Sequence, residues 1–491
     1  MTTRRTPDEG LSAMTDHDAA PDADQELPAG PSRSRRLSAS DTVLWDLDRD
    51  PVLRSTITAV AMLDRAPDWG RLRTRIDRAS QLIPRMRQRV GPAPLGIGAP
   101  RWVDDGDFDL DHHLRRVRVP LPGRLRDVLD LVQPIASDSF DPVRPLWEFT
   151  LVEGMRGGGA ALVQKLHHCL TDGVGGMELA LLLLDDVRDQ PEPDDLSLRL
   201  SPHLATPPAA QGLRRAARVP LAVSSAALTA ATATLKDPLG TVTDVGELAG
   251  GVLRLLSPVR VTSPLMERRS LRRRFHSIDV SLDDLRSAGH AAGGTLNDAF
   301  MAAVVEGLRR YHQDHGTELE HLSITMPVSM RRTGDAVGGN RFTPARFAVP
   351  ARAMPPIEQM RTIGAIAHSW QHSKALALTD AVAGALDVLP PPVVSAVMGS
   401  MLKGIDTVIT NVPGLPSGCY LAGSEIVREY AMAPTSGAAV NVALVSVGET
   451  ACIGVSVDLG AVPDDDVLLE KLVDGFRSIT DVVGHQPLRR A

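Results

Sequence analysis

The stretch ALVQKLHHCLTDGVGGMELALLLLDDV, residues 161–187, changes its periodicity in the middle. The first eight residues read as a strand. Side chains alternate in a strand, which puts Leu162, Gln164, Leu166 and His168 on one face and Val163, Lys165 and His167 on the other. A helical period takes over in VGGMELALLLLDDV, with Thr171 or Asp172 as the natural cap and Gly173 giving the junction backbone freedom. A strand passing through a capped turn into a helix is the building unit of an α/β fold. It also predicts that the two adjacent histidines point apart.

Diverging rings cannot both bind one metal, which needs convergent ligands, and no HExxH or CxxC pattern supplies others. The three cysteines, Cys169, Cys419 and Cys452, allow neither a disulfide framework nor a four-cysteine site. No metal or cofactor is expected. An imidazole with an unperturbed pKa of ~6.5 can take a proton from a hydroxyl and hand it to a leaving group. One histidine held where a strand meets a helix is therefore a candidate general base, although an ordinary capped turn would show the same spacing. A covalent route has less support: there is no GxSxG elbow, and Cys169 sits in an apolar turn without an evident activator. The phosphate-cradling patterns GxxxxGK[ST] and strand-linked GxGxxG are absent.

A chain of 491 residues exceeds what one core usually holds, so two large halves are expected. The net charge of −7 and a pI near 6.1 argue against nucleic acid as the main partner. Residues 1–36 offer no periodic apolar face and read as a disordered tail. The first α/β half spans 37–190. It opens on a helix carrying Val43, Leu44 and Leu47 that Ser38, Ser40 or Asp41 can cap, and a long amphipathic helix is expected over residues 68–90. Residues 191–260 form a linker, Pro-rich and then helical. The second half, 261–487, contains the helix TLNDAFMAAVVEGLRRYHQDHG with Leu296, Phe300, Ala303, Val304, Leu308 and Tyr311 on one face, and several strands. The most apolar run, residues 219–235, is diluted with Ser and Thr, so membrane contact is expected to be peripheral and the compartment a reducing cytoplasm.

Two short blocks carry a resemblance. HHCLTDG, 167–173, has the form HHxxxDG, and PLWEFTLVEG, 145–154, the form PLWxxxxxxG. With RWVDDGDFDLDHHLRR (101–116), GGTLNDAFMAAVVEGLRRY (293–311), MPVSMRR and GGNRF (326–342) and TNVPGLPSGCYLAG (410–423), the chain from residue 37 onward resembles the bacterial wax ester synthase/diacylglycerol acyltransferase family. The resemblance implies two chloramphenicol-acetyltransferase-like domains, related to condensation domains and plant-type acyltransferases, joined by a helical linker. It implies an interfacial tunnel that acyl-CoA enters from one side and diacylglycerol or a fatty alcohol from the other, with protein located at the inner membrane face or on lipid bodies. His168 corresponds to the general base, His167 to a flanking residue, and Asp172 and Gly173 to residues that shape the turn. Asn297 corresponds to an asparagine near the catalytic centre that could serve the oxyanion; it could equally be the cap of its helix.

Other positions carry smaller expectations. Trp147 of PLW reads as a large buried anchor, and NVPG (411–414) as a tight turn. His112 and His113 form a second pair without a following DG, and their charged neighbours suggest a solvated segment. The run with Arg268, Arg269, Arg272, Arg273 and Arg274 suits CoA phosphates or anionic lipid, or simply solvent. The rival readings are a condensation domain or plant-type enzyme, whose DFGxRT and DFGWG segments are approached only by DLG at 458–460, and a non-catalytic lipid-binding homologue.

Overall fold

Ser38 caps helix α1 (Ala39–Leu47), its hydroxyl accepting from the Asp41 amide at 3.0 Å. The chain continues through strand β1 (Thr56–Leu63) into helix α2 (Trp69–Leu82), capped by Asp68, with Leu72, Ile76 and Ala79 buried at helical spacing. The long helix expected over 68–90 stops at Leu82. Pro84 cannot continue it, and Gln88–Gly91 instead forms strand β2, paired antiparallel with β3 (Arg101–Asp104). Helix α3 (Leu110–His113), strand β4 (Leu114–Arg118), helix α4 (Leu125–Ser137), and strands β5 (Trp147–Glu153) and β6 (Ala160–His167) complete this part. The computed structural model describes residues 36–93, 99–171, 176, 182–189, 263–329, 342–371, 391–484 and 489–490. The N-terminal tail, the linker, and Asp172 and Gly173 lie outside the described residues.

The second half runs β7 (Arg273–Ser281), α5 (Leu282–Ala291), α6 (Leu296–Asp314), β8 (His321–Ser329), β9 (Phe342–Pro350), α7 (Pro356–Gln371), α8 (Pro391–Leu402), β10 (Thr407–Leu415), β11 (Tyr420–Leu421), β12 (Ser424–Met432), β13 (Val440–Val447), β14 (Thr450–Asp458), α9 (Asp465–Thr480) and β15 (Arg489–Arg490). β13 and β14 form the expected hairpin, with Val447 opposite Thr450 across Gly448 and Glu449. Helix α6 is buried on more than the one expected face: Met301, Ala302 and Val305 are as inaccessible as Phe300 and Val304. Its crossing with α9 is close, because a Cβ on Gly475 would stand 2.3 Å from the Ala303 carbonyl oxygen.

Two mixed sheets organise the molecule. The first has the order β11-β12-β1-β6-β5-β4 and the second β15-β7-β14-β13-β10-β8-β9. The late strands β11 and β12 thus lie in the same sheet as the early ones, β12 pairing antiparallel with β1 from Thr58–Met432 to Leu63–Ile426. Arg428 and Tyr430 of β12 reach back to Asp279 of β7 at 2.7 and 2.9 Å, tying the crossing strand to the second sheet. One face of the first sheet packs Trp147, Phe149, Leu162 and Leu166 against Leu72 and Ile76 of α2. The other packs Val60 and Val163 against Val128 and Val132 of α4, together with Phe275 and Tyr430.

Candidate active site

β6 ends at the two histidines, and backbone pairing fixes both. His167 stands opposite Thr56 of β1, and the next amide, of His168, donates to the Ser55 carbonyl at 2.9 Å. The Leu170 amide then bonds the His167 carbonyl to close the turn. His167 is 1% exposed, while His168, just past the end of the strand, is half-buried. The expected inequivalence of the two rings is present.

His167 belongs to the scaffold. Its Nε2 lies 2.9 Å from the Asp48 carboxylate, and its Nδ1 accepts from the Cys169 amide at 3.0 Å with the Cys169 sulfur at 2.9 Å. Accepting that amide describes the neutral ring, with its hydrogen on Nε2, which lies within ion-pair distance of Asp48 but off the line of a hydrogen bond. Burial opposes charge on the ring, but the Cys169 sulfur and Asp48 carboxylate at its two nitrogens outweigh it and push the pKa up to about 10. The sulfur contributes fully only as a thiolate, and burial pushes the Cys169 thiol up; near neutral pH Asp48 is the group that favours charge on the ring, and a ring so charged gives up the Cys169 amide at Nδ1. Burial also opposes ionisation of Asp48, yet His167, the Ser55 amide and Arg54 hold its carboxyl below the usual range. Cys169 therefore does have a histidine partner, contrary to the sequence reading, but burial disfavours the thiolate it would need as a nucleophile.

The second histidine pair is not solvated as expected. His113 is fully buried, its Nδ1 donating to the Trp147 carbonyl at 2.7 Å and its ring stacked against Trp147 (4.6 Å) and Phe108 (5.2 Å). Flanking charges misled because Asp111, Arg115 and Arg116 do face outward while His113 between them turns into the core. Trp147 is the buried anchor expected, its indole donating to the Met86 carbonyl at 2.8 Å.

Asn297 does not cap α6. Thr295 does, its hydroxyl accepting from the Asp298 amide, while Asp298 Oδ2 returns to the Thr295 amide at 2.7 Å in a capping box. The Asn297 amide turns instead toward the sulfurs of Met301 (3.4 Å) and Met326 (3.8 Å). NVPG is not a separate turn either: it lies within β10, whose register against β13 shifts between Val412 and Leu415. Pro413 and Gly414 occupy that bulge, and a Cβ on Gly414 would collide with the Ser446 carbonyl at 2.0 Å. In the arginine run, Arg269 binds the carbonyls of Gly437 and Ile405, Arg273 pairs with Asp458 at 2.6 Å, and Arg274 lies 3.3 Å from Asp130. Arg268 and Arg272 remain exposed. Among the described residues, His276, Asp465 and Asp466 have the spacing of a cation site, but the Arg274 guanidinium 3.6 Å from Asp465 already supplies positive charge there.

A cavity of about 290 Å³ opens between β1 and the end of α4 on one side and β7, β14 and the residues after β12 on the other. Arg54 and Arg273 line it, and the buried hydroxyls of Thr56, Thr435 and Ser456 in its wall have no hydrogen-bond partner. Thr435 precedes Ser436, a non-glycine residue at φ 45°. Neither this hydroxyl cluster nor the Asp48–His167 pair was anticipated from the sequence. The Asp in WDLDRD carries no local pattern, and the hydroxyls come from three distant segments.

Comparison with known proteins agrees with this architecture. Residues 37–300 match the family model of the wax ester synthase/diacylglycerol acyltransferase catalytic domain, and residues 338–480 that of the WS/DGAT C-terminal domain. A putative diacylglycerol O-acyltransferase of Mycobacterium tuberculosis (strain H37Rv) is 38% identical over 474 residues, 94% of each chain. A probable diacylglycerol O-acyltransferase of the same strain is 28% identical, covering 91% of this chain and 95% of that one. Among solved structures, the wax ester synthase/diacylglycerol acyltransferase from Marinobacter aquaeolei VT8 aligns with a TM-score of 0.59 at 23% identity over 92% of this chain and all of that one. The first condensation domain of the CDA synthetase aligns at 0.55 and 13% identity, over 93% and 99%.

Proposed function

The chain belongs to the wax ester synthase/diacylglycerol acyltransferase family, and from that premise we propose that it transfers a long-chain acyl group from acyl-CoA to the hydroxyl of diacylglycerol or a long-chain alcohol, with His168 as general base. The observation that carries the assignment is the division of labour between the two histidines. His167 is enclosed, with Asp48 and the Cys169 amide on its two nitrogens, whereas His168 stands half-buried at the end of the strand, where a hydroxyl can reach it.

In the proposed reaction His168 takes the hydroxyl proton as the oxygen attacks the thioester carbonyl. A tetrahedral intermediate forms; the carbon–sulfur bond then breaks, and His168 returns the proton to the departing CoA thiolate. The ester and free CoA balance the step, with no acyl-enzyme and no further cofactor. Asn297 is the proposed oxyanion donor, since its amide rests against two thioether sulfurs, weak acceptors that an oxyanion would displace, in the first turn of a long helix. Asp172 and Gly173 are proposed to shape the turn around His168. The cavity lined by Arg54, Arg273 and the unpartnered hydroxyls suits the polar arm of CoA.

The acceptors partition into lipid, which favours work at a membrane surface or lipid body. Among the described residues no helix is long and apolar enough to cross a membrane. Leu121, 92% exposed and close in the chain to exposed Arg118 and Arg124, suits shallow contact with anionic lipid.

The test is release of CoA thiol from a long-chain acyl-CoA by purified protein, with and without a hydroxyl acceptor. Release should require the acceptor and be lost in His168→Ala. Undiminished transfer in that variant would falsify the mechanism.

A further inference from the structure

The sheet face that carries Gln164 and Leu166 is open near the histidine turn and closed at its far end. Ala59 of β1 is paired on both sides, with Gln164 of β6 and Ala431 of β12, yet Ala59, Ala431 and the neighbouring Ile57 are all only half-buried. Small side chains in the middle of a paired sheet leave a shallow apolar trough. The trough begins at Ile57, opposite Leu166 and one residue from the Thr56–His167 pair, and Gln164 lies four residues from His168, about 13 Å along the strand.

At its far end the trough closes among Leu162, Leu183, Leu415 and Leu421, and two polar side chains face the small space left there, Gln164 and Glu429. Glu429, on β12 opposite Ala61, is 4% exposed, and its Oε2 has no hydrogen-bond partner. The space open to a water centre is about 10 Å³, room for one water at most. Burial pushes the Glu429 carboxyl up to about 7, so it holds its proton through the acidic range and part of the neutral one. A buried acid with an unpartnered oxygen, facing an amide in a leucine-rich pocket, is a poor neighbour for hydrocarbon, because a methyl end pressed against it displaces water and leaves the acid unpaired.

A thioester donor has one polar arm and one apolar arm leaving the same carbonyl. The structure offers a seat for each on opposite faces of β1: Thr56 lines the larger cavity, where Arg54, Arg273 and the unpartnered hydroxyls can meet polar groups, and Ile57 opens the apolar trough. We infer that the trough seats the acyl chain of the donor and that Glu429, with Gln164, is its polar end stop, setting the longest chain that transfers well. The inference rests on the acyl-transfer reading; the acceptor's chain would lie elsewhere.

The test uses the full-length protein and a series of acyl-CoAs from C8 to C20, followed both by turnover and by calorimetric binding of the matching non-reactive thioether analogues. Glu429→Leu should move the optimum at least two carbons longer and raise kcat/KM for the longest donor ~10-fold. Glu429→Gln, which keeps a polar end, should keep the wild-type optimum. Gln164→Leu should shift it in the same direction as Glu429→Leu and serves if that variant fails to fold. The optimum for alcohol chain length should stay put throughout. Identical donor profiles in wild type and both leucine variants, or a shift confined to the alcohol series, would overturn the assignment. Because the thioether series reads chain length without turnover, a wild-type protein that binds these analogues but transfers nothing would remove the acyl-transfer reading while leaving the end stop to be judged by binding.

Discussion

The chain carries two histidine pairs, His112–His113 and His167–His168, and the structure treats them oppositely. In each, one ring is fully enclosed and the other half-buried. His113 is stacked between aromatic rings and faces a carbonyl; burial is the main effect and brings its pKa down to about 4. His167, equally buried, faces a carboxylate and is pushed up to about 10. Burial alone therefore says little about a histidine's charge: the neighbour at the ring nitrogen decides it. The half-buried members differ by topology. His112 lies in α3, at the entrance to an outer strand, whereas His168 follows an inner strand, β6, flanked by β1 and β5.

The sharpest break between the pairs should be catalytic. His168→Ala should lower acceptor-dependent CoA release by about 10²–10⁴-fold, while His112→Ala leaves it unchanged; equal losses would dissolve the distinction. Stability against pH should separate the enclosed rings next. The pKa of His113 is lowered on folding, so between pH 6.5 and about 4 the unfolded chain binds the extra proton and the fold loses up to about 3 kcal/mol as pH falls. Urea midpoints across that range should flatten in His113→Phe. The pKa of His167 is raised, so its contribution is complete below pH 6.5 and drains away as pH rises through about 10. Asp48→Asn should remove about 1.5–3 kcal/mol of that stabilisation at neutral pH, and with it the alkaline dependence of the urea midpoint.

Glu429 offers a further contrast, a buried acid with no partner. Its pKa is raised, so the folded state holds a proton that the unfolded chain releases above about pH 4.5, and stability falls as pH climbs toward about 7. Its titratable neighbours, Cys419 and Cys452, are thiols that burial pushes up, so they stay neutral across this window. Glu429→Gln should abolish a loss of about 1–3 kcal/mol between those limits, measured by thermal unfolding. The smallest effect belongs to His112→Ala, whose stability should stay within about 0.5 kcal/mol of wild type.

Much of the candidate site was legible because it rests on local rules. Alternation along ALVQKLHH predicted two inequivalent histidines, and one is enclosed while the other is half-buried; Ser38 was among the three caps foreseen for α1, and Trp147 was expected in the core. What escaped was non-local. Nothing near Asp48 in sequence marks it as the partner of His167, and nothing in SEIVREYAM announces that it will cross to pair with β1. The charged neighbours of His113 concealed a ring whose burial depends on Trp147 and Phe108. At α6, the sequence left Asn297 open as cap or site residue, and only the observed capping box gave the cap to Thr295.

By itself the sequence determined the family, the α/β organisation and the motif that carries the proposed base, because these depend on spacing within a few residues and on blocks that survive in order. Only the tertiary structure decided which histidine is held in an ion pair, which hydroxyls are left unpartnered in a cavity, and that Glu429 lies at the closed end of an apolar trough. Those properties arise from which distant segments share a low-dielectric space, and no spacing along the chain encodes that directly.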